Sequence, residues 1–349
     1  MSATFPKNAV IIVGYKNSGD VRDCVSALAT ATAEPDFDIL VCENGGVEAF
    51  RELFVELTSS NGPCSPLPEN GEALFSPTDR LVEIRCLLLV GRSSRLWMAR
   101  ADRNLGYAGA INAWITSLSR FPDWEGIWIL NPDTEPYADA LKMLVEAATS
   151  THKGMIGSTI LRYYDQTRVH CRGGLHWRKL MCRPKLIGFN DPLEKPCNIE
   201  EIEAALDAPS GSSMYVTRAC IERIGLMDER FFLYYEDLDW AARAKQCGLG
   251  CAMGSLVPHK GGTATGSSTS RARRSRMSVY LENRNRIHFV RQHYHKYLIL
   301  TVILSAAYSL EYLLAGSLSN CVAALSGLIA GVRGETGPPS DLGPRIPTG

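Results

Sequence analysis

The chain has 349 residues, 45% of them hydrophobic, with 37 basic and 37 acidic side chains and no formal net charge. Apolar content this high excludes a disordered chain, and the balanced charge provides no global field to draw nucleic acid or an acidic partner. Eleven cysteines without a C-x-x-C pair suit reduced thiols in cytosol better than a secreted disulfide scaffold, and Cys171 and Cys182 lack the paired spacing of a zinc site.

The first apolar run, AVIIV from Ala9 to Val13, is too short for a signal-peptide core and reads as a strand buried on both faces. GYKNSGD breaks it, and Val21, Cys24, Val25 and Leu28 then recur at helical spacing. FDILVCE (37–43) reads as a second strand ending in NGG, so the order strand, helix, strand opens a parallel α/β sheet with a right-handed crossover. Residues 58–80, rich in Pro, Ser, Gly and Asn, read as a surface excursion, and LVEIRCLLLVGR after them supplies one or two strands of unassigned register. A glycine-bearing loop, RNLGYAG (103–109), leads into a helix. GIWILNPDTEPYADALKMLVEAA (126–148) reads as strand, polar turn and helix, with Leu141, Leu144, Val145 and Ala148 on one face. Residues 159–200 read as irregular and basic, and 210–225 as a short strand and a helix. After Gly266 come the charge run RARRSR, a basic helical stretch (278–296) and a nearly charge-free segment (297–332).

Four motifs bear chemistry, each with a plainer alternative. ILNPDTEP (129–136) ends a strand at Asn131 and Asp133, where open α/β sheets bind ligands, although Asn, Pro and Asp also make ordinary turns. An acid there suits a hard divalent cation held mostly by substrate phosphates. RNLGYAG lacks the spacing of both common nucleotide fingerprints, so neither a dehydrogenase nor a P-loop kinase is supported; its plainer reading is a tight helix entry. VPHKGGTATG (257–266) sets His259 beyond a short strand, and the following arginines either close over a diphosphate or form a solvated basic patch. FFLYYEDLDWAAR (231–243) crowds Glu236, Asp237 and Asp239 beside large apolar rings. It reads either as a helix start with acids on the positive dipole end or as a general base in a partly desolvated pocket. Asp239 is expected to pair with Arg243, four residues on.

Taken in order, VIIVGYKNSGD, ILVCENGG, RNLGYAGAIN, ILNPDTEP, SGSSMYVTR, IGLMDERFFLYYEDLDWAARAKQCG, the His259 loop and YLENRNRIHFVRQH resemble family 2 glycosyltransferases, in particular their bacterial rhamnosyltransferase-like branch. The resemblance runs from about residue 8 to about residue 295. It implies an α/β GT-A fold, a mixed and mostly parallel sheet flanked by helices, with a C-terminal helical extension. It further implies a catalytic domain over 1–265 (nucleotide-sugar half to about 135, acceptor half from about 136) and an extension over 266–349. By position, Tyr15, Glu43, Asn44, Arg103, Asn104, Gly106, Gly109 and Asn131 take the donor nucleotide, with Glu43 standing where a shorter acid is usual. Asp133 and His259 take Mg²⁺ or Mn²⁺. Asp237 is the expected base, with Glu236 beside it, while Arg284 and Asn285 match a branch motif to which no role is assigned.

The implied reaction is inverting, metal-dependent transfer of rhamnose or a hexose. The donor is a nucleotide-diphosphate sugar (dTDP or UDP) and the acceptor a glycan or lipid-linked saccharide of a bacterial surface polysaccharide. Phe231, Phe232, Tyr234, Tyr235 and Trp240 are expected to wall the acid pocket. A catalytically silent scaffold of the same fold is the alternative, and a nucleotidyltransferase lacks a triphosphate loop near the N-terminus to support it. Tyr312–Val332 is the stretch expected to be long enough for a span, though peripheral contact with the inner face of the cytoplasmic membrane suits it better. Ordinary packing helices, or an interface that makes a homo-oligomer, are the other readings of 297–332.

Overall fold

A computed structural model describes residues 5–67, 74–262 and 271–339. The first half builds β1 (Asn8–Gly14), α1 (Ser18–Ala29), β2 (Phe37–Glu43), α2 (Val47–Thr58), β3 (Cys64–Pro66), β4 (Leu81–Leu89), β5 (Arg95–Ala101), α3 (Gly106–Leu118), β6 (Gly126–Leu130) and α4 (Ala140–Thr151). Next come β7 (Met155–Arg162), β8 (Asp165–Arg172), β9 (Gly174–Arg178), β10 (Arg183–Leu186), α5 (Ile199–Ala205), β11 (Ala208–Pro209), β12 (Ser213–Thr217), α6 (Arg218–Ile224) and α7 (Glu236–Ala244). The chain closes with β13 (Leu249–His259), α8 (Arg276–His293), α9 (Leu298–Leu314) and α10 (Leu318–Arg333).

Among the described residues ten strands form one mixed sheet, ordered β13-β7-β12-β6-β1-β2-β5-β4-β3 with β8 on β7. Its centre, β6-β1-β2-β5, is parallel. β1 and β2 are buried along their whole length because helices cover both faces. Ile11 and Val13 pack on one side with Ile111 of α3, Trp240 of α7 and Phe289 of α8; Val10 and Ile12 pack on the other with α1, α2 and α4.

Three expectations change. The 58–80 stretch is not a simple surface excursion: Cys64–Pro66 pairs with β4, and Phe75 is buried edge-on against Trp97 and Trp114. Its residues 68–73 lie outside the described set, as do 263–270, where the boundary between core and extension was expected to begin. The 159–200 stretch is regular, supplying β7 to β10, whose exposed antiparallel ends (Asp165, Gln166, Thr167) dilute the apolar pattern. Tyr312–Val332 is not one helix, because α9 ends at Leu314 and α10 begins at Leu318. Among the described residues one helical stretch, His295–Leu314, is long and apolar enough to cross a bilayer.

Candidate active site

A cavity of about 560 Å³ opens outside the carboxyl ends of β1, β2 and β6, the position that parallel α/β sheets use for ligands. Strand ends deliver Tyr15, Asn44, Asn131 and Asp133 to it, and β13 delivers His259 from the far edge. Thr134 bridges His259 and the Lys260 amide donates to the Asp133 carbonyl, so the end of β13 is stitched along the loop after β6. His259 Nε2 consequently stands 3.1 Å from Asp133 Oδ1. That is about the separation of adjacent ligands on one ion with bonds of ~2.1 Å. Among the described residues no cluster of three or more His, Cys, Asp or Glu could hold a metal. As it stands the pair is hydrogen-bonded, and these two cavity residues could contribute to holding an ion.

The opposite wall is the 231–237 segment. Phe232, Tyr234 and Tyr235 have φ values of 64°, 69° and 73°, each a strained conformation costing about 1–3 kcal/mol for a bulky residue. The kinked run delivers Glu236 and Asp237 to the cavity at the start of α7. Burial, with the adjacent Asp237 charge, pushes the Glu236 carboxyl well above the usual range, and its Oε2 has no hydrogen-bond partner among the described residues. Burial also raises Asp237, against hydrogen bonds from backbone amides that favour its charged form. The acids begin a helix, as the plainer reading of FFLYYEDLDWAAR expects, and Glu236 and Asp237 also line the cavity.

Between the walls stands Tyr107, a residue that sequence reading passed over within RNLGYAG. Its hydroxyl lies 2.9 Å from both Asn131 Oδ1 and the Gly211 carbonyl. Burial, reinforced by Glu236, Asp237 and Asp133, keeps it protonated, so it remains a donor. Its amide donates to the Phe232 carbonyl, and a Cβ on Gly106 would sit 2.3 Å from that oxygen. Gly106 also has φ +72°, so glycine is needed there twice over. Asn44 braces the same loop, accepting from the Leu105 amide and donating to the Gly106 carbonyl, while Asn104 caps Gly106.

Three expected donor-side residues do not line the cavity. Glu43 is buried beneath it, where Oε1 accepts from the Lys16 and Gly45 amides. Arg103 is exposed and paired with Asp102, and Gly109 makes room for Arg80 and Leu105. Two of the expected aromatic walls also lie elsewhere: Phe231 and Trp240 belong to the core, where Trp240 donates to the Gly225 carbonyl. Asp239 pairs with Arg243 as expected, and His293 joins them at 2.7 Å. The cavity adds His170 and Glu282, neither of which sequence reading singled out, and Arg274 from the RARRSR run that it read as closing over a diphosphate or as a solvated patch. Burial, then His259 and Arg162, push the His170 imidazole down to about 4, so it is neutral. It comes from β8, inside the stretch read as irregular, which is why no signal marked it.

No protein-family model matches the chain. Over 250 residues, 68% of this chain and 76% of the relative, it is 24% identical to the low-salt glycan biosynthesis hexosyltransferase Agl10 of Haloferax volcanii. Over 166 residues it is 26% identical to the N-acetylglucosaminyl-diphospho-decaprenol L-rhamnosyltransferase of Mycobacterium tuberculosis, covering 42% of this chain and about half (52%) of that enzyme. Among solved structures it resembles GalNAc-T7 bound to UDP, GalNAc and Mn²⁺, with TM-score 0.54 and 14% identity, over 97% of this chain and 56% of that one. The chain has the GT-A glycosyltransferase fold. The resemblance to rhamnosyltransferase-like family 2 glycosyltransferases that its motif order carries is borne out by relatives named as a hexosyltransferase and a rhamnosyltransferase.

Proposed function

We propose that the chain is an inverting, metal-dependent glycosyltransferase. It moves rhamnose or a hexose from a dTDP- or UDP-linked donor to a hydroxyl of a glycan or lipid-linked saccharide. The observation that carries this reading is the meeting of Glu236 and Asp237 with the Asp133–His259 pair in one cavity. UDP and Mn²⁺ in GalNAc-T7 and the glycan-building names of the two relatives support it.

An acceptor hydroxyl is a poor nucleophile until a base within hydrogen-bond reach takes its proton. Asp237, half-buried and facing the cavity, is that base. Glu236, whose carboxyl is pushed up by burial and by the Asp237 charge, lines the cavity beside it and orients the acceptor. Tyr15 and Asn44 flank the base and ribose, while Arg274 of the RARRSR run lines the cavity ion-paired with Glu282 at 2.6 Å, so it would have to leave that carboxylate to meet the diphosphate. Asp133 and His259 would hold Mg²⁺ or Mn²⁺, which when bound neutralises charge developing on the leaving nucleoside diphosphate. Attack from the face opposite that leaving group inverts the anomeric carbon.

The cavity is completed by α8 through Glu282, and the helices beyond it, α9 and α10, give the chain its docking surface. Ile299, Ile303, Leu310, Leu314, Leu318 and Ile329 are exposed on α9 and α10, with Lys296 exposed just before α9 and Arg333 at the close of α10. An apolar face with basic ends suits peripheral contact with an anionic cytoplasmic leaflet, where a lipid-linked acceptor would be found.

The test is a thermal-shift screen against UDP, dTDP, GDP and CDP, each with Mn²⁺ or with EDTA, followed by sugar transfer from the donor so identified. A shift with one pyrimidine diphosphate that chelation abolishes supports the reading. The absence of any shift under all conditions turns it toward the silent scaffold.

A further inference from the structure

The strained acid segment is held from behind by one side chain. Asn285, fully buried on α8, directs Nδ2 at three carbonyls: Phe231 at 2.8 Å, Leu233 at 2.9 Å and Tyr234 at 2.8 Å. An amide group has two hydrogens, so three acceptors share them. Asn285 Oδ1 is itself fixed, accepting from Arg284 Nε at 2.9 Å. Arg284 donates onward to the carbonyls of Phe231 and Gly337. These carbonyls converge on one point only because Phe232, Tyr234 and Tyr235 all adopt positive φ. The same kinks send the Tyr235 hydroxyl to Arg286 Nε and bring Glu236 and Asp237 to the cavity.

No other residue type of this size does this. A leucine would leave the three carbonyls without a donor, and an aspartate would set a negative charge against them. From the opposite side the Tyr107 amide holds the Phe232 carbonyl, so the segment is clasped between α3 and α8.

We infer that Asn285, oriented by Arg284, is a positioning residue for the acid pair: it sets the path of residues 231–235 and thereby the placement of Asp237 against the acceptor hydroxyl. It touches no reacting atom. The inference rests on the glycosyltransferase reading for its kinetic consequence but not for its structural one.

The experiment uses the full chain with Asn285→Ala and with Asn285→Ser, which keeps a single donor. Asn8→Ala serves as the control, because Asn8 makes buried hydrogen bonds to Tyr215 and Asp36 away from the cavity. Two readouts are taken: amide hydrogen exchange by peptide, and steady-state transfer across pH. Positioning requires faster exchange in 229–238 with β1 and β2 unchanged. It also requires kcat to fall by about 10²-fold, with KM for the donor held within roughly two-fold. The acid limb of kcat is expected to move down in pH as the acids gain water, and Asn285→Ser to recover part of the rate. If Asn285→Ala does not fold, Asn285→Ser decides on the same readouts. Exchange and kcat that merely track the Asn8→Ala control would overturn the inference. A wild type that transfers no sugar overturns the glycosyltransferase reading instead, and the exchange comparison still decides the role of Asn285.

Discussion

Gly211 stands against Asp237 so closely that a Cβ at residue 211 would lie 2.5 Å from the carboxylate Oδ2. The loop before β12 thereby fixes which way the proposed base faces. In Gly211→Ala the carboxylate can swing aside, so stability should change little while kcat falls by about 10²-fold. Gly106→Ala differs, because its Cβ meets the Phe232 backbone carbonyl at a positive φ. That variant should lose roughly 1–3 kcal/mol of stability. Chemical denaturation beside steady-state kinetics separates the two.

Asp237→Asn removes the base while keeping shape. Loss of a general base costs typically 10²–10⁴-fold, and kcat should fall by about that much with the nucleotide-induced thermal shift intact. An unchanged rate would assign the proton transfer elsewhere.

Glu236 gives a pH signature in stability. Its carboxyl is raised in the folded chain, so between the ordinary glutamate value and the raised one the folded state binds more protons than the unfolded state. The stabilising contribution is present at low pH and is lost as pH rises through the folded value. Glu236→Gln has no proton to lose. Its Tm should therefore gain on wild type as pH climbs from about 4.5 toward neutrality, and parallel curves would show that Glu236 is not perturbed.

Asp133→Ala and His259→Ala test the ion. A ligand that binds only the folded state stabilises it by mass action, so both variants should lose the Mn²⁺-dependent part of the UDP or dTDP shift. Wild type in EDTA should look the same. A full shift in either variant removes that residue from the metal set.

The α9–α10 face is tested by sedimentation with anionic vesicles. Ile303→Asp combined with Leu314→Asp should lower the bound fraction several-fold without changing kcat on a soluble acceptor. Binding that persists unchanged would move the contact elsewhere.

How much of this was legible in sequence follows from how local each signal is. β1 and β2 were plain because both faces are covered, leaving uninterrupted apolar runs. Asp133 and His259 were found by motif, yet their contact spans 126 positions and depends on β13 lying beside the loop after β6. Glu43 was expected to meet the nucleotide from its position in the family resemblance, but its side chain turns inward to accept from the Lys16 and Gly45 amides. β8 was missed since half of its residues face water, and His170 went with it. Asn285 could be marked but not explained: its partners lie more than fifty positions away and exist only because of an unusual backbone.

That separation matters during synthesis. Phe231 leaves the ribosome 54 positions ahead of Asn285. A nascent chain that has folded everything through β13 already carries the sheet, the Asp133–His259 pair and both acids, but α8 has yet to seat them. On the inferred role of Asn285, chains that end before α8 should transfer no sugar. Competence arrives late, with the helices that also carry the apolar face.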